Sequence, residues 1–451
     1  MESGQSPSAF HVAALAFPFG SHATPLLALV KRLSEAAPNV TFSFLSTAAS
    51  NSTLFSGSSH SNIKPFNVSD GIKNGNAFPR DFMEGINMFL SASPGNFSEA
   101  IRAAEAETGI RVSCLITDAF LWFSSDLALE FGVDWIAYWT SAACSLSTHL
   151  QTDLIRTTVG NKCKGVEKEL EHLEFIPGLA KVEIDDLQPE ILSGDLNSPF
   201  SELLRKMGLK LPNATAVVVN SFEALEPTII QDFKSKLKKS LCIGPASLAT
   251  FSDESGSLSW LDSCAAASVV YIAFGSVAML SPDEILALAE ALEEAQFPFL
   301  WSIKDDAKRF LPNGFLERTK VKGKFVSWAP QVQVLKHASV GVFVMHGGWN
   351  SVCEGIIGGV PMICRPFFGD HSLNSRMVES VWEIGVKIPR GKFTKSEVSG
   401  ALKRVLSSEK GDKMKVNVQR LKDEGLKAVE PHGSSTANFK TLVKIITNND
   451  N

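Results

Sequence analysis

The chain has 451 residues, 44% of them hydrophobic and 20% charged, with a formal net charge of −5. That length supports two or three domains with large cores and nothing that reads as disordered, and the acidic balance speaks against nucleic acid as a partner. Seven cysteines without a C-x-x-C pair fit reduced thiols in the cytosol rather than a disulfide scaffold or a zinc site, and no apolar run approaches the ~18 residues of a membrane span.

FHVAALAFPF at 10–19 is apolar, but no basic region precedes it and no small-residue cleavage site follows. It reads as a first buried strand rather than a signal peptide. Strand-like runs follow at 40–46, 62–68, 111–118, 134–139 and 215–220, with helical patterns between them; Leu26, Val30 and Leu33 share one helix face. Alternating βα units of this kind predict an α/β domain built on a parallel sheet. His22 comes just after the first strand and Asp118 ends another, so both fall at the C-terminal edge of the sheet, where open α/β sheets bind ligands. Each residue taken singly suits a helix cap equally well. Together they offer a base: a carboxylate on one imidazole nitrogen fixes the tautomer and leaves the other nitrogen to accept a proton.

Residues 243–259 turn to Ser, Pro and Gly and read as a linker between an N-terminal domain of 1–242 and a C-terminal domain of 260–432. The second βα series starts at 268–276. Ser281-Pro-Asp-Glu284 is a capping box with Pro at the first helical position, and Thr394 to Glu397 is another. Further strands are expected at 297–303, 323–328, 340–345 and 360–366, and the tail 433–451 reads as a helix packing back on the first domain. Within this half, VGVFVM at 340–345 runs into His346, Gly347, Gly348, Trp349, Asn350 and Ser351. A buried strand, a glycine turn and a new helix aim free N–H groups, a positive dipole end and the Asn350 and Ser351 side chains at one spot, which wants a phosphate or diphosphate. Glu354, one turn later, suits sugar hydroxyls, and Trp328 suits a flat base.

The 44 residues from Trp328 to His371 resemble the signature box of plant family-1 UDP-sugar glycosyltransferases: W-A-P-Q, H-x-G-W-N-S, E, G-V-P-M and a final acidic dipeptide at the usual spacing. Met345 and Gly347 depart from that box, where Thr and Cys or Ser are common, as does His371, where Gln is commonest. FPFGSHATPLLALVKRL, TDAFLWF, YWTSAACSLSTH, DLQPEIL and VVVNSFEALEP extend the similarity along the chain to flavonoid 3-O-glycosyltransferases. The resemblance implies a GT-B fold, two Rossmann-like domains facing across a cleft. It implies His22 and Asp118 as catalytic residues and a donor site of Thr140, Ser276, Trp328, Ala329, Gln331, His346, Trp349, Asn350, Ser351, Glu354, Asp370 and His371. In that site Trp328 would stack on uracil, Gln331 and Glu354 would hold the ribose, and Asp370 and His371 would read the sugar. Ser21, Phe120, His149, Gln188, Phe200 and Phe368 would line the acceptor pocket, though core packing explains several of them equally well.

The implied reaction is an inverting transfer of hexose from a UDP-sugar to the 3-hydroxyl of a flavonol or anthocyanidin. UDP-galactose is favoured over UDP-glucose because His371 replaces Gln. No cofactor is expected, and no metal, since the chain has no D-x-D and no His/Cys cluster of ligand spacing. The enzyme is expected to be a cytoplasmic monomer. A nicotinamide-dependent oxidoreductase is disfavoured because no G-x-G occurs in the chain. A non-catalytic nucleotide-sugar-binding protein is disfavoured by the presence of both His22 and Asp118.

Overall fold

The computed structural model describes residues 10–19, 22–56, 62–72, 82–160, 171–245, 252–275 and 278–448. Among them run the strands β1 Phe10–Leu15, β2 Val40–Thr47, β3 Ile63–Val68, β4 Cys114–Asp118, β5 Asp134–Trp139, β6 Ala216–Val219, β7 Ser240–Cys242, β8 Val269–Ile272, β9 Phe299–Ser302, β10 Gly323–Val326, β11 Val340–Met345, β12 Met362–Cys364 and β13 Gly385–Lys387. They form two sheets, ordered β3-β2-β1-β4-β5-β6-β7 and β10-β9-β8-β11-β12-β13. Every pairing is parallel, so each connection is a crossover, most carrying a helix. The central strands are buried along their length because both faces are covered; all six residues of β11 are buried, whereas the edge strand β3 leaves Lys64, Pro65 and Asn67 exposed. The three-residue strands β7 and β13 were not expected, being too short to show a period.

The described residues within 1–167, 189–246 and 431–451 form one compact unit, and those within 168–188 and 247–430 a second. A continuous N-terminal domain of 1–242 therefore does not describe the chain. The segment that precedes Gln188 is held by the second unit: buried Asp186 accepts from Arg376 Nε at 2.7 Å and pairs with Lys387, while Arg376 also reaches Glu183 at 2.6 Å. Part of the stretch whose composition suggests a linker is folded too. Asp253 takes the backbone N–H groups of Ser257 and Leu258 at 3.1 and 2.8 Å, starting the helix Ser257–Leu261.

In the first unit, the helix Ala23–Ala36 buries Leu26, Val30 and Leu33 against the β1–β2–β4 core. The C-terminal helix Ser434–Ile446 adds Leu442, Ile445 and Ile446 to that same core, and Asn438 Nδ2 donates to Cys242 O in β7 at 3.0 Å. In the second unit, the helix Pro282–Ala295 starts at the Ser281–Glu284 capping box and the helix Lys395–Leu406 at the Thr394–Glu397 box. Each satisfies two backbone donors that the first turn would leave open. Among the described residues no helix is long and apolar enough to cross a membrane.

Candidate active site

The first sheet reverses direction between β1 and β4, so helices leave that point on opposite faces and the strand ends open a crevice. His22, next to the start of the helix Ala23–Ala36, does not cap that helix with its side chain. Its Nδ1 lies 2.9 Å from Asp118 Oδ2, with side-chain exposures of 22% and 1%. Asp118 Oδ1 accepts the Phe120 N–H at 2.9 Å, so both carboxylate oxygens are engaged and the group is fixed in place. With Nδ1–H given to the carboxylate, the lone pair resides on Nε2, the tautomer a general base requires.

Aromatic rings surround this pair. Phe120 stands 4.4 Å from the imidazole by ring centroids and Phe17 5.3 Å, edge-on. Phe120 continues to Trp139 and to Phe200, each at 6.1 Å, and Trp139 to His149 at 5.4 Å. Phe19 and Phe89 extend the wall from Phe17. Thr140, at the end of β5, is half-buried on the same sheet edge.

The second sheet reverses between β8 and β11, and the phosphate-seeking residues lie at that point. Gly347 has φ +85°, and the helix Trp349–Gly358 begins at Gly348, which has no side chain to cap it. A Cβ on Gly348 would come 2.3 Å from His346 Nε2, and one on Gly275 would come 3.2 Å from His346 Cε1. The two glycines therefore bracket the His346 ring. Met345 and Gly347, two of the three departures from the family box, meet here: the Gly347 N–H donates to Met345 Sδ at 3.0 Å. Behind the turn, Asn374 Nδ2 donates to Gly347 O at 3.1 Å.

Gln331 and Glu354 are brought together. Gln331 Nε2 donates to Glu354 Oε2 at 2.5 Å and to Ser351 Oγ at 3.2 Å, leaving the Ser351 hydroxyl proton for a phosphate oxygen. Burial raises the Glu354 carboxyl above its ordinary range, opposed by the Gln331 hydrogen bond. Trp328 is 50% exposed, on the turn between β10 and the helix Gln331–Lys336, so its indole presents a face. Asn350 is exposed and Asp370 half-buried, while Ala329 is buried. Trp349 is buried too, its indole packed 6.3 Å from that of Trp382.

His371 opens the helix His371–Arg376. It is 7% exposed, its ring 4.9 Å from His346 and 4.7 Å from Phe368. Burial pushes its imidazole down to about 4, and burial with the neighbouring His371 pushes His346 down to about 3. Both rings are therefore neutral at pH 7. Of the expected acceptor residues, Phe120, His149 and Phe200 gather near His22, whereas Gln188 and Phe368 belong to the second unit. Ser21 and Ser276 lie outside the described residues.

Residues 253–430 match the family model of UDP-glucuronosyl and UDP-glucosyl transferases. A flavonol 3-O-glucosyltransferase of Actinidia chinensis var. chinensis is 52% identical over 445 residues, 97% of each chain. An anthocyanidin 3-O-galactosyltransferase of the same plant is 52% identical over 450 residues, 98% of each chain. The chain belongs to the UDP-glycosyltransferase family. A solved UDP-glucose:anthocyanidin 3-O-glucosyltransferase in complex with UDP superimposes with a TM-score of 0.92 at 43% identity, covering 98% of this chain and 100% of that one. The fold of this transferase is thus the two-domain α/β fold of its family, GT-B.

Several residues that shape the site of this UDP-glycosyltransferase were not foreseen. Tyr271, buried in β8, donates its hydroxyl to Gln331 Oε1 at 3.1 Å and fixes which way that amide points. Arg365 binds Glu284 through Nε at 2.8 Å and Nη2 at 3.0 Å, bracing the chain that leads to Phe368 and Asp370. Glu284 is thereby both capping-box residue and ion-pair partner. Tyr271 and Arg365 each look like core or surface in sequence. Phe17 and Phe19 had a signal, their place five and three residues before His22.

Proposed function

We propose that this enzyme transfers a hexose from a UDP-sugar to the 3-hydroxyl of a flavonol or anthocyanidin, inverting the anomeric centre. The observation that carries the reading is the His22–Asp118 pair set among aromatic rings at the β1/β4 switch point. A flat, apolar phenol suits that wall by stacking and edge-on ring contact. The names of the relatives, flavonol and anthocyanidin 3-O-glycosyltransferases, support the same acceptor class.

His22 Nε2 takes the phenolic proton, and the imidazolium is stabilised by Asp118. The oxygen attacks the anomeric carbon opposite UDP in one displacement, so an α-linked donor gives a β-glycoside. Charge on the departing diphosphate is met by the N-terminus of the helix Trp349–Gly358, by Asn350 and Ser351, and by a hydrogen bond from His346. Ser276, Thr140 and Asp370 complete the donor contacts, with Ser21, Gln188 and Phe368 contributing to the acceptor. The reaction needs no divalent metal and no cofactor, and the enzyme works as a cytoplasmic monomer.

Galactose is the favoured sugar. Neutral His371 offers one donor and one acceptor on a short rigid ring, which suits an axial O4 and leaves an equatorial one poorly bonded. Among the relatives both a glucosyl- and a galactosyltransferase are equally similar to this chain, so the sugar is a separate test. Purified protein is assayed with UDP-galactose and UDP-glucose against flavonols and anthocyanidins, with and without chelator, and the products are mapped. A β-3-O-galactoside formed in chelator is expected. No transfer to any phenol would overturn the function, and a preference for UDP-glucose would overturn the sugar assignment alone.

A further inference from the structure

Glu226 takes no part in the chemistry above, yet it is 3% exposed and its carboxylate is fully engaged. Oε2 accepts from Ala143 N–H and from Ser221 Oγ, both at 3.0 Å, and Oε1 accepts from Cys144 N–H at 2.7 Å. One side chain therefore joins the helix Ala143–Leu150 after β5, the turn after β6 and the start of the helix Pro227–Lys236. All three lie on the sheet edge that carries His22 and Asp118.

The two N–H groups it takes open the helix Ala143–Leu150, whose N-cap residue, Ala142, has no side-chain acceptor. Glu226 supplies from elsewhere in the chain the cap that the local sequence lacks, and its charge complements the helix's positive end. Burial pushes the carboxyl up, and these N–H and O–H donors pull it back. Fixing that end of the helix fixes two rings. Ala142 O accepts Trp139 Nε1–H at 2.8 Å, and His149, in the last turn, meets the Trp139 ring at 5.4 Å. The helix Pro199–Lys210 blocks movement outward, since a Cβ on Gly208 would come 2.1 Å from His149 O. Trp139 in turn touches Phe120, which lies against His22.

Resting on the reading of this aromatic wall as the acceptor site, we propose that Glu226 is a positioning residue for the acceptor, setting where Trp139 and His149 stand relative to His22. It touches neither the acceptor nor the donor.

The test uses the full chain with Glu226→Gln, which keeps size but replaces one acceptor oxygen with a donor, and Ser221→Ala, which removes a single hydrogen bond to the carboxylate. Four quantities are measured: acceptor KM with a flavonol, donor KM, UDP affinity by calorimetry, and flavonol binding by quenching of tryptophan fluorescence. In Glu226→Gln the acceptor KM rises about tenfold, the scale of one hydrogen bond to a charged group, and quenching weakens in step. Donor KM and UDP affinity stay within about twofold of the parent, as expected when only acceptor contacts are disturbed. Ser221→Ala shifts the same quantities in the same direction, less far, and carries the test if Glu226→Gln does not fold. Unchanged acceptor KM and quenching overturn the proposal while the acceptor reading stands. Equal losses of acceptor and UDP affinity also overturn it, since they mark a general role in folding. A parent protein that neither binds nor glycosylates a flavonol removes the acceptor reading and this proposal with it.

Discussion

His22 illustrates how much a single residue's role depends on one partner. Its ring hydrogen-bonds to a carboxylate whose other oxygen is anchored on backbone. His22→Ala is expected to lower kcat by roughly 10²–10⁴-fold, the scale of a lost general base, with UDP affinity nearly intact. Asp118→Asn does less damage, because the imidazole keeps a partner but loses its counter-charge. Steady-state kinetics with a weakly acidic phenol decide this, and near-normal kcat in His22→Ala would remove the assignment. Trp328→Ala should weaken UDP by roughly 1–3 kcal/mol, the scale of base–aromatic stacking, and spare kcat at saturating donor. Calorimetry with UDP alone measures it, and unchanged affinity would make the half-exposed indole irrelevant to the nucleotide. His371→Gln should move the ratio of kcat/KM for UDP-galactose and UDP-glucose toward glucose; a ratio that stays put would show that this residue does not select the sugar.

At the scale of an element, the turn from β11 into the helix Trp349–Gly358 is held by contacts that tolerate no side chain. Gly347 sits at φ +85°, and a Cβ there would lie 2.6 Å from Ser375 Oγ and 2.8 Å from His371 O. Gly347→Ala therefore combines backbone strain of about 1–3 kcal/mol with displacement of the helix that carries His371. Gly132 is the control: its φ is +65° with nothing within 4 Å of a Cβ. Both alanine variants should melt at lower temperature than the parent, but only Gly347→Ala should also lose UDP affinity. Equal UDP affinity in the two would mean that the turn is not part of the donor site. This turn was legible in sequence as apolar run, glycine pair and helix start, because those signals are contiguous. The hydrogen bond from Tyr271 that orients Gln331 was not, since 60 residues separate the two.

For the molecule as a whole, three histidines held neutral by desolvation, His11, His346 and His371, set an acid limit. His11 is fully buried, giving Nδ1–H to Ile110 O at 2.9 Å and accepting from Ser43 Oγ at 2.8 Å, and burial lowers its pKa. His371 and His346 are lowered to about 4 and about 3 from 6.5. A folded pKa below the unfolded one means the unfolded chain binds more protons once pH falls under 6.5. Stability is therefore full above that point and declines as pH drops toward the folded values. Thermal melts between pH 6.5 and 5, where most carboxylates are still ionised, should show a falling Tm. A flat Tm across that window would contradict the desolvated, neutral state of these rings.

The sequence by itself determined what is written in short contiguous patterns. Strand-like runs located eleven of the thirteen strands among the described residues, capping boxes located two helix starts, and the Trp328–His371 box pointed to the strand–glycine–helix turn proposed as the donor site. Tertiary structure alone decided what depends on chain segments far apart. It fixed the strand order that puts β1 beside β4 and β8 beside β11, and it assigned residues 168–188 to the second unit through Asp186. It also gathered five phenylalanines from four stretches around His22 and made Glu226 the cap of a helix more than 80 residues earlier. The physical reason is range. Backbone propensity and capping act over one or two turns of chain, whereas a buried charge or ring takes its partner from whatever the fold brings within about 3–6 Å.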